Sequence, residues 1–305
     1  MPIEDEIILS RFRKAIRLNT QENILDLDAS LDYKFDFQVF RFEDVLHGTN
    51  RIIPPNRWSY HRIGLIKKGS GEFISGIYNY KAPKNTLAVV PARMISSSKN
   101  WTLDMEGYIL VFNTEYFLQN NFLLQHIENK NILTGSVPPY IHLSDKQTDE
   151  ISEIFENLIK EKLENKPGKN ELIIIKIIEL LIKSERFFDE QLHFETSVPS
   201  TDILKSFSSL LETHFIEERT VSFYAEKLNV HPNYLNSLVK KHTGRTAKES
   251  IQNRLVLEIK YLLHSTNLSI KEISNQLGFN DPNYFTSFFT RFENMSPKNY
   301  RSTFV

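Results

Sequence analysis

Two stretches of the chain carry short polar side chains in the same order, HPNYLNSLVKK at 231–241 and DPNYFTSFFTR at 281–291. In a helix the amides and hydroxyls of each stretch fall on one side. They are Asn233, Asn236, Ser237 and Lys240 in the first stretch and Asn283, Thr286, Ser287 and Thr290 in the second. Amides and hydroxyls donate and accept hydrogen bonds, while Lys240, Lys241 and Arg291 add positive charge. The chemistry they offer is recognition of a polar, negatively charged surface.

Both stretches are parts of a longer repeat. Residues 220–228, TVSFYAEKL, align with residues 269–277, SIKEISNQL, at an offset of 49. Residues 232–248 align with residues 282–298 at an offset of 50, so the copies differ by one residue in the turn between these segments. A unit repeated in this way is one supersecondary structure used twice.

The repeated unit has the pattern of a helix, a tight turn and a second helix. Each copy has an N-cap residue, a residue that tolerates a left-handed backbone, and a proline at the first position of the second helix. These are Thr220, Asn229 and Pro232 in the first copy and Ser269, Gly278 and Pro282 in the second. Apolar residues recur with helical spacing on the side of each second helix opposite the polar one, which predicts that this side faces a core.

The segment between the copies adds a geometric argument. Thr246 and Glu249 have the spacing of a capping box, and residues 247–264 are predicted to form one helix about 27 Å long. Such a helix could hold the two second helices about one DNA turn, roughly 34 Å, apart. Amides and hydroxyls suit base edges in a major groove, and Lys or Arg suits phosphates. A solvated helix face would explain one copy, whereas two matched copies favour binding to double-stranded DNA.

Composition and charge are consistent with this prediction. Residues 201–305 carry 13 Lys and Arg against 10 Asp and Glu, whereas the whole chain has a net charge of −1. The absence of cysteine excludes disulfides, thiolate metal sites and a cysteine nucleophile. The start of the chain, MPIEDEIILSRFRKAIRL, is predicted to be neither a secretory signal nor a membrane anchor. We therefore expect a cytoplasmic protein that makes no membrane contact.

The N-terminal part has the pattern of strands up to about residue 143. The predicted strands are FDFQVFRF (35–42), YHRIGLI (60–66), GEFISGIYNY (71–80), TLAVVPA (86–92) and GYILVFN (107–113). KKGSG (67–71) is predicted to form a hairpin turn between two of them. An antiparallel barrel or sandwich is the expected fold.

Helical periodicity begins at Ser144, which has capping-box spacing with Gln147. A helical hairpin is predicted over 145–188, and the polar, Pro-containing segment 196–202 is the predicted linker to the next domain. ELIIIKIIELLIK (171–183) is apolar nearly all round and too short to span a membrane. Its second apolar face needs a second partner, which is either another part of the same chain or the hairpin of a second copy.

A family resemblance covers residues 203–305. SIKEISNQLGFNDPNYFTSFFTRFENMSPKNYR (269–301) closely resembles the signature of AraC/XylS-type transcriptional regulators, and RLVLEIKYLLHSTNLS (254–269) resembles that family's linker helix. The resemblance implies an α+β multidomain protein whose all-α DNA-binding domain has two helix-turn-helix motifs. It also implies base-facing positions, which are Asn233, Asn236 and Ser237 in the first motif and Asn283, Thr286 and Ser287 in the second. This chain has small amides and hydroxyls where many members carry longer Gln or Arg side chains.

The N-terminal part resembles, in outline, the cupin-like sensor barrel of that family. The resemblance implies a domain over 1–195 that senses a small-molecule effector, a homodimer formed through 145–188, and RNA polymerase as a partner. Trp58, His61 and Arg62 are candidates for an effector pocket, although strand residues of these types are more often packed or on the surface. The histidines of this region, His47, His61, His126 and His142, lack the spacing of a cupin metal site. We therefore expect neither a metal nor a cofactor.

Three classes of function follow. A ligand-responsive regulator that binds promoter DNA agrees with the most features. A cupin-like enzyme with an accessory helical domain is disfavoured by the missing metal spacing, and cysteine-dependent alkyl transfer by the lack of cysteine. A protein-interaction module that no longer binds DNA is disfavoured by the nearly acid-free outer faces of the two second helices.

Overall fold

The computed structural model describes residues 37–46, 52–113, 131–135, 138–164, 166–195 and 198–303. The N-terminal segment considered above lies outside these residues, as do His47 and His126.

The N-terminal part contains two antiparallel sheets. Its strands, in chain order, are β1 (Phe37–Arg41), β2 (Ile53–Arg57), β3 (His61–Lys68), β4 (Gly71–Ser75), β5 (Tyr78–Ala82), β6 (Thr86–Val90), β7 (Ile95–Lys99), β8 (Glu106–Phe112) and β9 (Tyr140–His142). One sheet has the order β1-β8-β3-β6-β9 and the other has the order β2-β7-β4-β5. The predicted antiparallel architecture is confirmed, but over the described residues the strands form two separate sheets rather than a closed barrel.

Two details of the strand prediction are corrected. The run at 71–80 is two strands, joined by a tight turn in which Gly76 has a positive φ of 55°. KKGSG does not form a hairpin, because both edges of β3 are already occupied by β6 and β8. The chain crosses there from one sheet to the other. Strands β2, β7 and β9 were not predicted, since β2 contains Pro54 and Pro55, β7 is mostly serine and β9 has only three residues.

The helices are α1 (Phe42–Leu46), α2 (Asn131–Thr134), α3 (Asp145–Leu163), α4 (Lys169–Glu195), α5 (Val198–His214), α6 (Val221–Lys227), α7 (Pro232–Thr243), α8 (Ala247–Ser265), α9 (Ile270–Gln276), α10 (Pro282–Glu293) and α11 (Pro297–Ser302). The capping box at the start of α3 is present, with Gln147 N donating to Ser144 Oγ over 3.3 Å. The predicted linker at 196–202 is helical from Val198 onward. Proline is tolerated in the first turn of a helix, so Pro199 does not prevent this.

Strand β3 separates two cores. Successive residues of a strand point to opposite faces. Ile63 and Leu65 pack with the α3–α4 hairpin, whereas Arg62, Gly64 and Ile66 face the space between the two sheets. The hairpin therefore covers the outer face of the five-stranded sheet, and the inter-sheet space is a separate compartment.

The inter-sheet core is continuous with the core of the C-terminal helices. Tyr78, Tyr80 and Trp101 belong to the same cluster of buried residues as Leu204 and Phe207 of α5. Strand β2 also packs against α8, where Arg57 pairs with Glu258. The sandwich is thus attached to the helix that links the two repeated units.

Candidate functional site

The two repeated units have the same turn. Asn229 and Gly278 have φ values of 52° and 68°, the left-handed conformation predicted from their positions. In the first unit Val230 N donates to Ala225 O over 2.9 Å, and in the second Phe279 N donates to Ser274 O over 3.0 Å. These equivalent bonds close the C-terminus of the first helix in each unit. The predicted helix-turn-helix pair is confirmed.

The second helices, α7 and α10, also start in the same way. Pro232 and Pro282 occupy the first turn, and the preceding residue accepts a hydrogen bond from the backbone. His231 Nδ1 accepts from Asn233 N at 3.2 Å, and Asp281 Oδ1 accepts from Asn283 N at 2.8 Å. The Asn233 and Asn283 side chains therefore stand in the first turn of each helix.

The inner and outer faces of α7 and α10 match position by position. The inner faces bury Leu235, Leu238 and Val239 in α7 and Phe285, Phe288 and Phe289 in α10. The predicted contact residues that are exposed are Asn233, Ser237, Lys240 and Lys241 in α7 and Asn283, Ser287, Thr290 and Arg291 in α10. The remaining two, Asn236 and Thr286, are half-buried at equivalent positions.

Several of the predicted contact groups already make hydrogen bonds within the protein. Asn236 Oδ1 accepts from Lys248 N at 3.2 Å, at the start of α8. Thr286 Oγ1 donates to Pro282 O at 2.9 Å, and Thr290 Oγ1 donates to Thr286 O at 2.8 Å. The Asn236 amide nitrogen retains its two donors and the threonine oxygens retain acceptor capacity. These bonds fix the orientation in which the side chains are presented.

Four further residues share the symmetric exposure and were missed from the sequence. Tyr234 and Tyr284 are 47% and 59% exposed, large values for aromatic side chains. Lys248 and Lys298 are exposed in the first turns of α8 and α11, which follow the second helix of each unit. Their signal was present in the repeat, because the alignment places tyrosine on tyrosine and lysine on lysine at outward positions.

The two units are fixed relative to each other by α8 and by Arg219. The capping box of α8 is formed, with Glu249 N donating to Thr246 Oγ1 over 3.2 Å, and the helix runs one residue beyond its predicted end. Arg219, just before the first unit, donates through Nη2 to Leu277 O of the second. Its guanidinium lies 4.3 Å from the ring centre of Phe279. Burial lowers the pKa of Arg219, consistent with a packed position.

The three predicted pocket residues do not share one surface. Arg62 faces a cavity between the sheets that has about 630 Å³ of empty space, including space at its mouth. Trp58 is buried with its ring 4.5 Å from the Arg62 guanidinium, but it does not line the cavity. His61 lies on the opposite face of β3, where its ring stacks on Phe112 and Nδ1 accepts from Ala92 N. Burial and the neighbouring Arg62 charge lower the pKa of His61 to about 4.

Neither a membrane-spanning helix nor a metal site is found in the described ranges. No helix there is long and apolar enough to cross a membrane. No cluster of three or more His, Asp or Glu in those ranges is arranged to hold a metal ion.

Comparison with known proteins relates the chain to transcriptional regulators. A family model described as a helix-turn-helix domain matches residues 224–303. The HTH-type transcriptional activator RhaS of Shigella sonnei (strain Ss046) is 22% identical over 254 residues, covering 81% of this chain and 87% of the relative. RhaS of Escherichia coli (strain SE11) matches with the same identity and coverage. The structure of ToxT from Vibrio cholerae covers 88% of this chain at 15% identity, with a TM-score of 0.41, and covers 99% of its own chain.

The matched domain begins inside the first repeated unit and includes the whole of α7, α8, α9 and α10. The likeness to solved structures is weak, so the description of the fold rests on the sheet order and helices given above. Two helix-turn-helix units joined by a capped linker helix agree with the helix-turn-helix domain match over residues 224–303 and with relatives that are transcriptional activators, so this part of the chain is a helix-turn-helix domain similar to those of AraC/XylS-type regulators.

Proposed function

We propose that the chain is a transcriptional activator that binds promoter DNA by placing α7 and α10 in successive major grooves on one side of the duplex. The observation that carries this proposal is the matched pattern of exposure on two helices that α8 and Arg219 hold in one rigid unit. Relatives named as transcriptional activators support the direction of regulation. RNA polymerase is then the partner through which the bound chain acts, in the cytoplasm where promoter DNA is accessible.

The exposed residues divide into two roles. Asn233, Ser237, Asn283 and Ser287 lie on the outer faces near the starts of the helices, where short amides and hydroxyls can reach base edges. Asn236, Thr286 and Thr290 flank them and carry the remaining hydrogen-bonding capacity. Lys240, Lys241 and Arg291 lie in the last turns and are assigned to phosphates, which anchor the protein without reading sequence.

The proposal keeps the domain bounds expected from the sequence. Residues 203–305 form the DNA-binding domain, residues 1–195 sense an effector, and 196–202 join them. The cavity between the two sheets is the proposed effector site, with Arg62 as the one of the three predicted pocket residues that lines it.

We also propose that two chains associate through the α3–α4 hairpin. In α4, Ile173, Ile177 and Leu181 are fully buried against the sheet, whereas Leu172 and Ile175 are 46% and 55% exposed on the opposite side. Isoleucine and leucine exposed in this way favour a partner surface. A two-fold arrangement would pair the same face of both chains.

The experiment that tests DNA binding starts by selecting bound sequences from a random pool with the full chain. Asn283→Ala should then lower affinity for the selected site by about 1–3 kcal/mol and relax sequence preference at one or two positions. Arg291→Ala should weaken binding to selected and random DNA alike. It should also reduce the slope of log affinity against log salt concentration by about 1. Lys81→Ala removes an exposed charge from β5 and is the control. It should leave the affinity for DNA and its salt dependence unchanged.

Two results would contradict the assignment. Equal losses on selected and random DNA for Asn283→Ala would show that this side chain does not read bases. Recovery of no preferred sequence from the pool would contradict sequence-specific binding as a whole.

A further inference from the structure

Arg62 is a buried cation at the wall of the inter-sheet cavity. The residue is 8% exposed, and within the described ranges its guanidinium is hydrogen-bonded by neutral groups only. Nη2 donates to Ser96 Oγ at 2.8 Å, and Nη1 makes a longer contact of 3.4 Å with Asn56 Oδ1. Its Nε is buried without a hydrogen-bond partner. The ring of Trp58, 4.5 Å away, offers its π face to the charge.

The positive charge of Arg62 has no counterion in the part of the chain that the structure describes. No carboxylate there lies within ion-pairing distance of it. By contrast, Arg57, Arg254 and Glu258, at the contact between the sandwich and α8, are all paired. Burial lowers the pKa of Arg62 to about 10, so the group remains protonated at neutral pH. A buried charge without a partner is costly, so a ligand that supplies the opposite charge would relieve this cost.

Four aromatic side chains, several aliphatic ones and the serines of β4 and β7 line most of the rest of the cavity. Phe73 packs against both Tyr80 and Trp101, with ring centres 5.7 and 5.6 Å apart, and Phe42 meets Trp101 edge-on. Ile66 and Ile109 complete this side. Burial raises the pKa of the Tyr80 hydroxyl to about 12, so this group stays neutral near Arg62. The site thus combines one cation with a mainly apolar cavity.

We propose that this cavity binds a carboxylate with an apolar body, placing the carboxylate on the Arg62 guanidinium and the body among the aromatic rings. Arginine presents a planar fork of donors that matches a carboxylate in two parallel hydrogen bonds. The proposal rests on the proposed function, since it names the chemical class of the effector.

The position of Arg62 also gives the ligand a route to the DNA-binding domain. The two side chains that accept hydrogen bonds from the guanidinium belong to β2 and β7, where Asn56 and Ser96 face each other across the strand pair. Arg57, next to Asn56, forms the ion pair with Glu258 of α8. A carboxylate that draws the guanidinium toward the cavity would act first on the strand that contacts the linker helix.

The test measures ligand binding by calorimetry on the full chain without DNA. The probes are phenylbutyrate, its neutral alcohol phenylbutanol, and acetate, a carboxylate with no apolar body. We expect phenylbutyrate to bind at least about tenfold more tightly than phenylbutanol, since a charge-assisted hydrogen-bonded pair is lost in the alcohol. Acetate should bind more weakly than phenylbutyrate because it leaves the apolar chamber unfilled.

Variants assign the effect to Arg62. Arg62→Met removes the charge while keeping an apolar side chain of similar length, which a buried site tolerates well. It should lower phenylbutyrate affinity at least about tenfold and leave phenylbutanol nearly unchanged. Arg62→Lys should restore part of the preference for the carboxylate. Lys68→Met, which removes an exposed cation from the same strand, is the matched control.

The proposal is overturned if phenylbutyrate and phenylbutanol bind wild type equally, if neither binds, or if Arg62→Met keeps the preference for the carboxylate while its thermal melt shows a folded protein. These outcomes are separate from a failure of the proposed function, because DNA selection is carried out without the probes. A chain that binds phenylbutyrate through Arg62 but selects no DNA would contradict the regulator and leave the ligand site standing.

Discussion

Arg57 of β2 and Glu258 of α8 form an ion pair between the sandwich and the linker helix, with Nη2 and Oε2 2.5 Å apart. Glu258 also accepts from Arg254 Nη1 at 2.9 Å, and Arg254 Nε pairs with Glu212 Oε1 of α5 at the same distance. The Arg254 side chain is only 2% exposed and lies 3.9 Å from the ring centre of Phe215. A single charge network therefore joins β2, α5 and α8.

The first prediction is that Arg57→Met weakens the attachment of the two domains. Glu258 keeps its bond to Arg254, so the expected loss is that of one partly buried, charge-assisted hydrogen bond, about 1–2 kcal/mol. Urea unfolding followed by circular dichroism would measure it, and limited proteolysis between α4 and α5 should become faster. Lys68→Met removes an exposed pair with Glu106 and serves as the control. An unchanged unfolding midpoint for Arg57→Met would show that the pair does not hold the domains together.

The second prediction concerns the DNA site. The two units are tandem copies in one chain, so one chain should read two short elements about 10 base pairs apart without a palindrome. Inserting five base pairs between the elements turns them to opposite faces of the duplex and should reduce affinity to that of one element. An insertion of ten base pairs tests whether the loss comes from rotation or from distance. Affinity that survives the five-base-pair insertion would contradict the two-groove geometry.

The third prediction assigns the orientation of the two units to Arg219. Arg219→Met keeps an apolar stem beside Phe279 but removes the bonds to Leu277 O and Ile216 O. We expect weaker binding to the two-element site, with binding to each isolated element unchanged, because only the relative placement of α7 and α10 is loosened. Gel shifts with the three DNA fragments would separate the two effects. Equal losses on all fragments would instead indicate partial unfolding of a unit.

The local features of the helix-turn-helix pair could be predicted from the sequence because each depends on a few neighbouring residues. Asn229 and Gly278 were expected in the left-handed region and are found there, the predicted capping boxes at Ser144 and Thr246 are formed, and Ser269 caps α9 as expected. Thr220 occupies its predicted N-cap position, but its side chain makes no capping bond. Local sequence rules succeed where the interaction itself is local.

Long-range contacts could not be predicted in the same way. Arg57 and Glu258 are 201 residues apart, and nothing near either residue indicates the other. Strand β2 was missed because proline is normally found only in edge strands, and β2 contains Pro54 and Pro55. It lies at the edge of its sheet, where its one described partner is β7. Alternation along β3 puts His61 and Arg62 on opposite faces, but which of them faces the inter-sheet cavity depends on the register, since a shift of one residue exchanges the two faces.

The fourth prediction is a pH dependence of stability. Burial lowers the pKa of both His61 and His264 to about 4, below their ordinary value of 6.5, so the unfolded chain binds protons that the folded chain does not. The stabilisation is fully present above pH 6.5 and is lost as the pH falls toward 4, with a slope of about 1.4 kcal/mol per pH unit for each withheld proton. Urea unfolding between pH 7.5 and pH 5 would measure the slope. His61→Gln should lower it, and an unchanged slope would exclude His61 as a contributing group.

The last prediction concerns assembly through α4. Leu172 and Ile175 are exposed on the side opposite the buried residues Ile173 and Ile177. The nearby charges of Lys176 and Glu179 are paired with each other. Two such faces related by a two-fold axis would bury both leucines and both isoleucines. Ile175→Asp places a charge at the centre of that surface and should shift the chain toward monomer at micromolar concentration. Leu103→Asp, at a residue that is 84% exposed and distant in sequence from the hairpin, is the matched control. Light scattering gives the mass of each variant with and without DNA. A wild-type chain that is monomeric throughout, or a dimer that survives Ile175→Asp unchanged, would contradict pairing through this face, since a buried unpaired carboxylate costs several kcal/mol at an apolar interface.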